Sequence, residues 1–498
     1  MTDDSGFQAL RFKAGELPPP SNPFHWLRLT VRQPIDRRAG VFIAALAVLF
    51  DWSMRATPAS LAWFILVIAV CFGLGVSGRV RNRNALVLLG AVPLFAVWLV
   101  VRKSPWLIPL DIFAIVLLLA AAASYARGGS VLALSVPEAV RRAVALSVHF
   151  IAAPWFLKRT AGVPVGVRMG KAKPVIRGVA LVLPVLFILA LLLGSADSVF
   201  ASIFQVDVDI TSLFVHGLLI IVGAWLAAGL FRTTSADEPE PGKVSVRRLG
   251  CVEGFTALIA VVILYGVFTV TQVVVWLGGA QEILSNNGLS YAEHARNGFF
   301  QLLAVGGITL ALLMTMRATV KVETPAQHRW WKSAALMAIV LTVAIVGVAL
   351  HRLSLYENAY GLTMLRLFSA AFAIWIGLTF VSLRVSFVRG ASSGWFVASA
   401  AGLGLAILFV LNVVNPEALV VNRNADRLTT SRVPFDTYYA SGLSEDSVPA
   451  LGRVRPRLDD DPALFREHCG DPQQDHGFAG FNLAEQRAID VIDEICGK

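Results

Sequence analysis

One arginine falls where a membrane helix should carry no charge. Arg366 follows Tyr356-Glu-Asn-Ala-Tyr-Gly-Leu-Thr-Met-Leu and sits inside an apolar segment that runs on to Leu383. A charged side chain near mid-bilayer costs roughly 2.5–3.5 kcal/mol on insertion scales, so it faces a partner or a watery cavity. Helical spacing puts Thr363, Ala370, Ala373 and Gly377 on the same face as Arg366. Small residues mark helix–helix contacts in membranes. Arg366 is therefore expected to point into a bundle, near its outer end, and to meet a carboxylate: first Asp197, otherwise Asp111 or Glu357.

Other polar residues gather at the same ends of the apolar segments. Asp111 lies about one turn into its segment. Ser195-Ala-Asp197 closes another, and His216 lies near the start of the next. Glu293, His294, Arg296, Asn297 and Gln301 lead into a fourth, and His294, Asn297 and Gln301 share one helix face. Glu357 precedes Arg366, and Asn412 and Asn415 close the last apolar segment. The functional reading is an outward-facing polar site made of Arg366, Asp197, Arg296, Glu293, Glu357, Asp111, Gln301 and Asn415. It would take a small anionic ligand or a lipid head group. The blander reading is ordinary interfacial polarity with one structural ion pair at Arg366. An enzyme acting on a lipid-linked substrate would use Asp197, Glu293 or Glu357 as acid or base. A structural or regulatory partner in an envelope complex is the third reading.

Catalytic signatures are missing. The chain has no Gly-rich phosphate loop, no Cys-x-x-Cys and no His-Glu-x-x-His pair. No catalytic residue, cofactor or metal is assigned. Cys469 and Cys496 stand 27 residue steps apart in the tail, where an oxidising compartment permits a disulfide. The nearby His468 and His476 match no usual zinc spacing.

The elements that must position these residues are apolar helices. The chain has 498 residues, of which 56% are hydrophobic and 15% charged, as in a polytopic membrane protein. Its net charge of +10 marks loops on one membrane side rather than a nucleic-acid partner. About eleven spans are expected, at 40–57, 59–76, 85–101, 107–125, 175–194, 212–231, 252–277, 298–316, 334–350, 360–383 and 394–411. The first is short of the ~20 apolar residues a spanning helix needs, and its Asp51 and Arg55 are spaced to neutralise each other. With the N-terminus inside, the cytoplasmic segments hold 28 Lys and Arg and the short outer loops 5. That asymmetry puts the C-terminus on the extracytoplasmic side.

This gives an all-α, polytopic transmembrane helix bundle. Residues 1–39 form a cytoplasmic extension, 40–231 a first membrane half and 252–411 a second. Residues 232–251 link them in the cytoplasm, and 412–498 form a small, mostly helical extracytoplasmic tail. Within the first half, 137–159 is too short to span comfortably and has cations at both ends, so an interfacial helix is expected. Asn415-Pro416-Glu417 reads as a helix start, Asp436 and Ser444 as caps, and Asn482-Leu-Ala-Glu485 as a capping box.

Three stretches carry a resemblance. They are Tyr291-Ala-Glu-His-Ala-Arg-Asn-Gly-Phe-Phe-Gln301, Tyr360-Gly-Leu-Thr-Met-Leu-Arg366, and Asn415-Pro-Glu-Ala-Leu-Val-Val-Asn-Arg-Asn424 followed by Leu443-Ser-Glu-Asp-Ser-Val-Pro-Ala-Leu451. Together with Ser195-Ala-Asp197 they resemble a family of bacterial polytopic membrane proteins defined by a domain of unknown function (the DUF 4153/4173 type). The resemblance spans about residues 180–451. His294 departs from the family pattern, where an aromatic is commoner. The resemblance implies a bacterial cytoplasmic-membrane location and assigns no chemistry.

Overall fold

A computed structural model describes residues 37–77, 79–154, 210–236, 249–275, 298–390, 393–429, 434–458, 461–470 and 477–496. Among these residues the chain is helical apart from isolated bridge positions, of which Leu249 and Val320 pair with each other. The main helices are α1 (Arg37–Arg55), α2 (Leu61–Val76), α3 (Arg83–Ala96), α4 (Ile108–Ser124), α5 (Val136–Ile151), α6 (Ile210–Ser235), α7 (Cys251–Val274), α8 (Phe299–Thr319), α9 (Pro325–Tyr360), α10 (Met364–Arg389) and α11 (Ser393–Val414). A further turn, Trp98–Val101, extends α3. The tail adds α12 (Pro416–Asp426), α13 (Val448–Val454) and α14 (Leu483–Cys496), with shorter turns between.

Seven of these helices are long and apolar enough to cross a membrane, and α2 and α4 are shorter apolar helices. Large apolar side chains such as Phe113, Phe214, Val252 and Leu264 stay exposed along them, which suits contact with lipid. The segment at 175–194 lies outside the described residues.

Packing divides the apolar helices in two. One core is built from α1 to α4 and α6, with Ala153 just past α5, and receives Leu408 of α11. The other is built from α7 to α11. Helix α1 packs against α6, where a Cβ on Gly223 would sit 2.7 Å from Cβ of Phe50. Only glycine permits that approach. The carboxylate of Asp51 is buried in this contact. It accepts from Nδ1 of His216 at 2.9 Å and from Arg55 at 3.4 Å.

The α9–α10 region corrects the sequence reading. Tyr356 to Leu383 is not one segment. Helix α9 runs on to Tyr360 and stops at Gly361, whose φ of 83° and ψ of 169° suit a residue without a Cβ. Thr363 then caps α10, accepting from the Arg366 N–H. Arg366 thus occupies the first turn of a helix rather than the interior of an apolar segment. The 36 residues of α9, about 54 Å at 1.5 Å per residue, also exceed a bilayer core of ~30 Å. The expected span 334–350 is only its middle.

Candidate functional site at the docked tail

The tail has a small core of its own. Val421, Val448, Leu451, Leu464, Phe465 and Ile492 pack together, and a disulfide joins Cys469 to Cys496. This unit caps the ends of helices from both apolar cores.

On the first core the docking is ionic and buried. After the Trp98–Val101 turn, Arg102 leaves the helix in extended conformation. Its guanidinium donates to the Asn412 carbonyl at 2.9 and 2.5 Å and to Asp446 Oδ1 at 3.2 Å. The other oxygen of Asp446 accepts the backbone N–H groups of Lys103 and Ser104, each at 2.7 Å. Arg102 and Asp446 are both buried, so the protein itself satisfies the charge of each. Glu417, in the first turn of α12, is 1% exposed. It accepts the Ser104 hydroxyl at 2.6 Å, and the Ser444 hydroxyl and N–H at 2.6 and 2.8 Å. Burial raises its pKa above the usual carboxylate value, and these serine contacts only partly offset that.

Two asparagines tie the seam. Asn482 donates to the carbonyls of Ala59, Leu99 and Arg102, while its side-chain oxygen accepts the N–H groups of Ala484 and Glu485. Glu485, whose N–H this cap takes, also meets Lys103 Nζ through its carboxylate at 2.9 Å. Asn415 turns the chain from α11 into α12 in the left-handed region, at φ 57°, which asparagine tolerates better than most residues. Its oxygen caps Ala418 N–H at 3.2 Å and its amide donates to the Asp446 carbonyl at 2.8 Å.

On the second core the tail grips the α9–α10 link. Asn424 exchanges two hydrogen bonds with Leu362, at 2.7 and 2.8 Å. Arg427 donates to the Asn358 carbonyl at 2.6 Å, and the Tyr439 hydroxyl accepts the Met364 N–H at 2.8 Å. Leu362, Met364 and Val420 bury an apolar contact beneath them. Between the two grips, Trp106 stacks on Phe368 with ring centroids 5.3 Å apart.

Arg366 lies at this link. Its guanidinium carbon sits 4.1 Å from the centroid of Tyr356 and 6.0 Å from that of Tyr360. One nitrogen donates to the Gly361 carbonyl. The side chain is half-buried, and among the described residues no carboxylate pairs with it. Both alternative partners named from the sequence are engaged elsewhere. Asp111 is fully buried and accepts the Asn412 amide at 2.8 Å. Glu357 pairs with Arg423 at 3.6 Å. Gln301 is exposed in the first turn of α8. Asp197, Glu293 and Arg296 lie outside the described residues, as do His294 and Asn297.

The geometry also gives a place in the seam to residues to which the sequence assigns no site role: Arg102, Ser104, Glu417, Asn424, Asp446 and Asn482. By its local sequence Arg102 reads only as a loop cation, and Glu417 only as part of a helix start. Their partners stand 313 and 344 positions away, and no local spacing links them.

The sequence model of a family described as a domain of unknown function (DUF4153) matches residues 85–454. No curated protein and no solved structure matches the chain.

Proposed function

From the premise that this chain belongs to the DUF4153 family and is a multi-pass membrane protein, we propose that it binds an anionic ligand at Arg366, on the outer side of the bundle. The ligand class is a phosphate or carboxylate head group, lipid-borne or small. One observation carries this reading: an ionised, half-buried guanidinium lies against two tyrosine rings with no described carboxylate to neutralise it. Arginine keeps its charge at any physiological pH and presents a fork that fits carboxylate and phosphate. The α10 N-terminus beside it adds a positive end. The tail lies over this point as a fixed rim, and the excess of Lys and Arg in the opposite loops supports an extracytoplasmic position for it.

An enzymatic role is less well supported. Glu417 is the described tail carboxylate with a raised pKa, yet both of its oxygens are taken by Ser104 and Ser444. A general acid needs reach to a substrate.

The test is calorimetric titration of purified full-length protein with short-chain phosphatidic acid and with its choline ester. The acid should bind and the choline ester bind at least about tenfold more weakly. Arg366→Ala should lose the preference, and Arg366→Lys should keep only part of it. Equal binding of both lipids, or an unaltered preference in folded Arg366→Ala, would remove the proposal.

A further inference from the structure

Two buried oxygen atoms beneath the docked tail have no donor among the described residues: Asp111 Oδ2 and Asn412 Oδ1. Asp111 lies in the first turn of α4 and Asn412 in the last turn of α11, and both are 0% exposed. The Asn412 amide donates to Asp111 Oδ1 at 2.8 Å and to the Leu408 carbonyl at 3.1 Å. A carbonyl can only accept, so the Asn412 atom facing Leu408 is the nitrogen and the orientation of the amide is fixed. Both of its hydrogens are then used. Buried acceptors without donors are rare, and two of them on one bonded pair call for a common cause.

Charge points the same way. Arg102 is a buried cation at this seam, and Asp446 takes it at 3.2 Å. Lys103 pairs with Glu485. Glu417 receives three hydrogen bonds, from Ser104 and Ser444, whereas Asp111 receives one. On the helices around α4, His216 of α6 pairs with Asp51 of α1, and Arg142 of α5 lies at the far end of α4, on the Ser124 carbonyl. An ionised Asp111 would be a second buried anion beside a cation already matched. A proton on Oδ2 removes that charge and supplies the donor that Asn412 Oδ1 lacks. A carboxylic acid and a primary amide can close a ring of two hydrogen bonds in this way. Asn412 also ties the pair to the tail. Its backbone carbonyl accepts from Arg102, and Asn415, three residues on, turns the chain into α12.

We propose that the Asp111–Asn412 pair is a proton-binding site that locks the docked tail: Asp111 holds a proton on Oδ2 and donates it to Asn412 Oδ1. When the Oδ2–H bond breaks, the proton passes to water and the carboxylate is left facing an amide oxygen. Asn412 then turns away, and the Arg102 contacts that depend on it loosen. A proton bound in the docked state makes docking firm at low pH and weaker as pH rises.

Infrared spectroscopy of the full-length protein tests it, in a Glu417→Gln background that silences the other buried carboxyl. At about pH 6 a carboxylic-acid C=O band should be present, shift in heavy water and vanish when Asp111→Asn is added. Between about pH 6 and 9 the band should disappear, and hydrogen exchange in α12 should quicken at least about fivefold beyond the intrinsic rate. With Asp111→Asn that rate should stay within about twofold over the same range, because an amide donates to Asn412 in place of the acid. Should Asp111→Asn not fold, carbon-13 labelling of aspartate in the Glu417→Gln protein assigns the band to an aspartate. No acid band at the lower pH, the result of an ionised Asp111 bridged to Asn412 by water, overturns the proposal. So does an α12 exchange that depends on pH equally with and without Asp111→Asn.

Discussion

Arg102 and Arg366 are two arginines beneath the same docked tail, and they are used in opposite ways. Arg102 spends its donors on the Asn412 carbonyl and Asp446, and both ions are buried. Arg366 gives one bond to a carbonyl five residues back and rests on tyrosine rings. The first is a bolt between distant parts of the chain. The second has no carboxylate partner among the described residues, which is what the proposed anion would supply. Identity of residue type says little about role; the partner set decides it.

The largest expected effect follows from Arg102. Arg102→Ala leaves Asp446 buried without its cation and should cost about 3–5 kcal/mol. Thermal unfolding and limited proteolysis should show the tail released first. If the tail stays protected, the seam is held elsewhere and the contrast with Arg366 weakens.

Next comes the link that holds Arg366. A Cβ at Gly361 would lie 2.9 Å from both Arg427 Nη1 and Asn424 Oδ1, on a backbone with φ of 83°. Gly361→Ala should cost about 1–3 kcal/mol. The same change should weaken anion binding, because the carbonyl that positions Arg366 belongs to this residue. Asn424→Ala removes the paired bonds to Leu362 and should cost about 1–3 kcal/mol, with less effect on binding.

A smaller effect concerns pH. Glu417 has a folded-state pKa raised above its unfolded value by burial. It therefore binds its proton more tightly when the tail is docked. Its contribution is fully present below the unfolded pKa and is lost as pH rises through the folded one. Hydrogen exchange in α12 should slow as pH is lowered toward 5, after correction for the intrinsic rate. Glu417→Gln should flatten that dependence at little cost in stability, since an amide can meet both serines. A dependence that survives in Glu417→Gln belongs to another group.

What the sequence reading could and could not see follows from distance along the chain. Apolar runs are local, so segments such as 212–231, 252–277 and 394–411 fall on helices α6, α7 and α11. The stop at Gly361 and the Thr363 cap were also local signals, but the apolar residues on both sides hid them. The apolar residues around Arg366 read as a helix interior, whereas the Thr363 cap places it in a first turn. The Asp446, Glu417 and Asn482 seams were illegible because each joins residues hundreds of positions apart. Only a folded tail brings them together.

The contrast between the two arginines can be read in one sample. Phenylglyoxal modifies accessible guanidinium groups, and peptide mass spectrometry assigns each site. The account predicts rapid modification of Arg366, protection of Arg366 by glycerol phosphate, and no modification of Arg102 until the protein unfolds. An unreactive Arg366, or one that reacts equally with and without the anion, would contradict it.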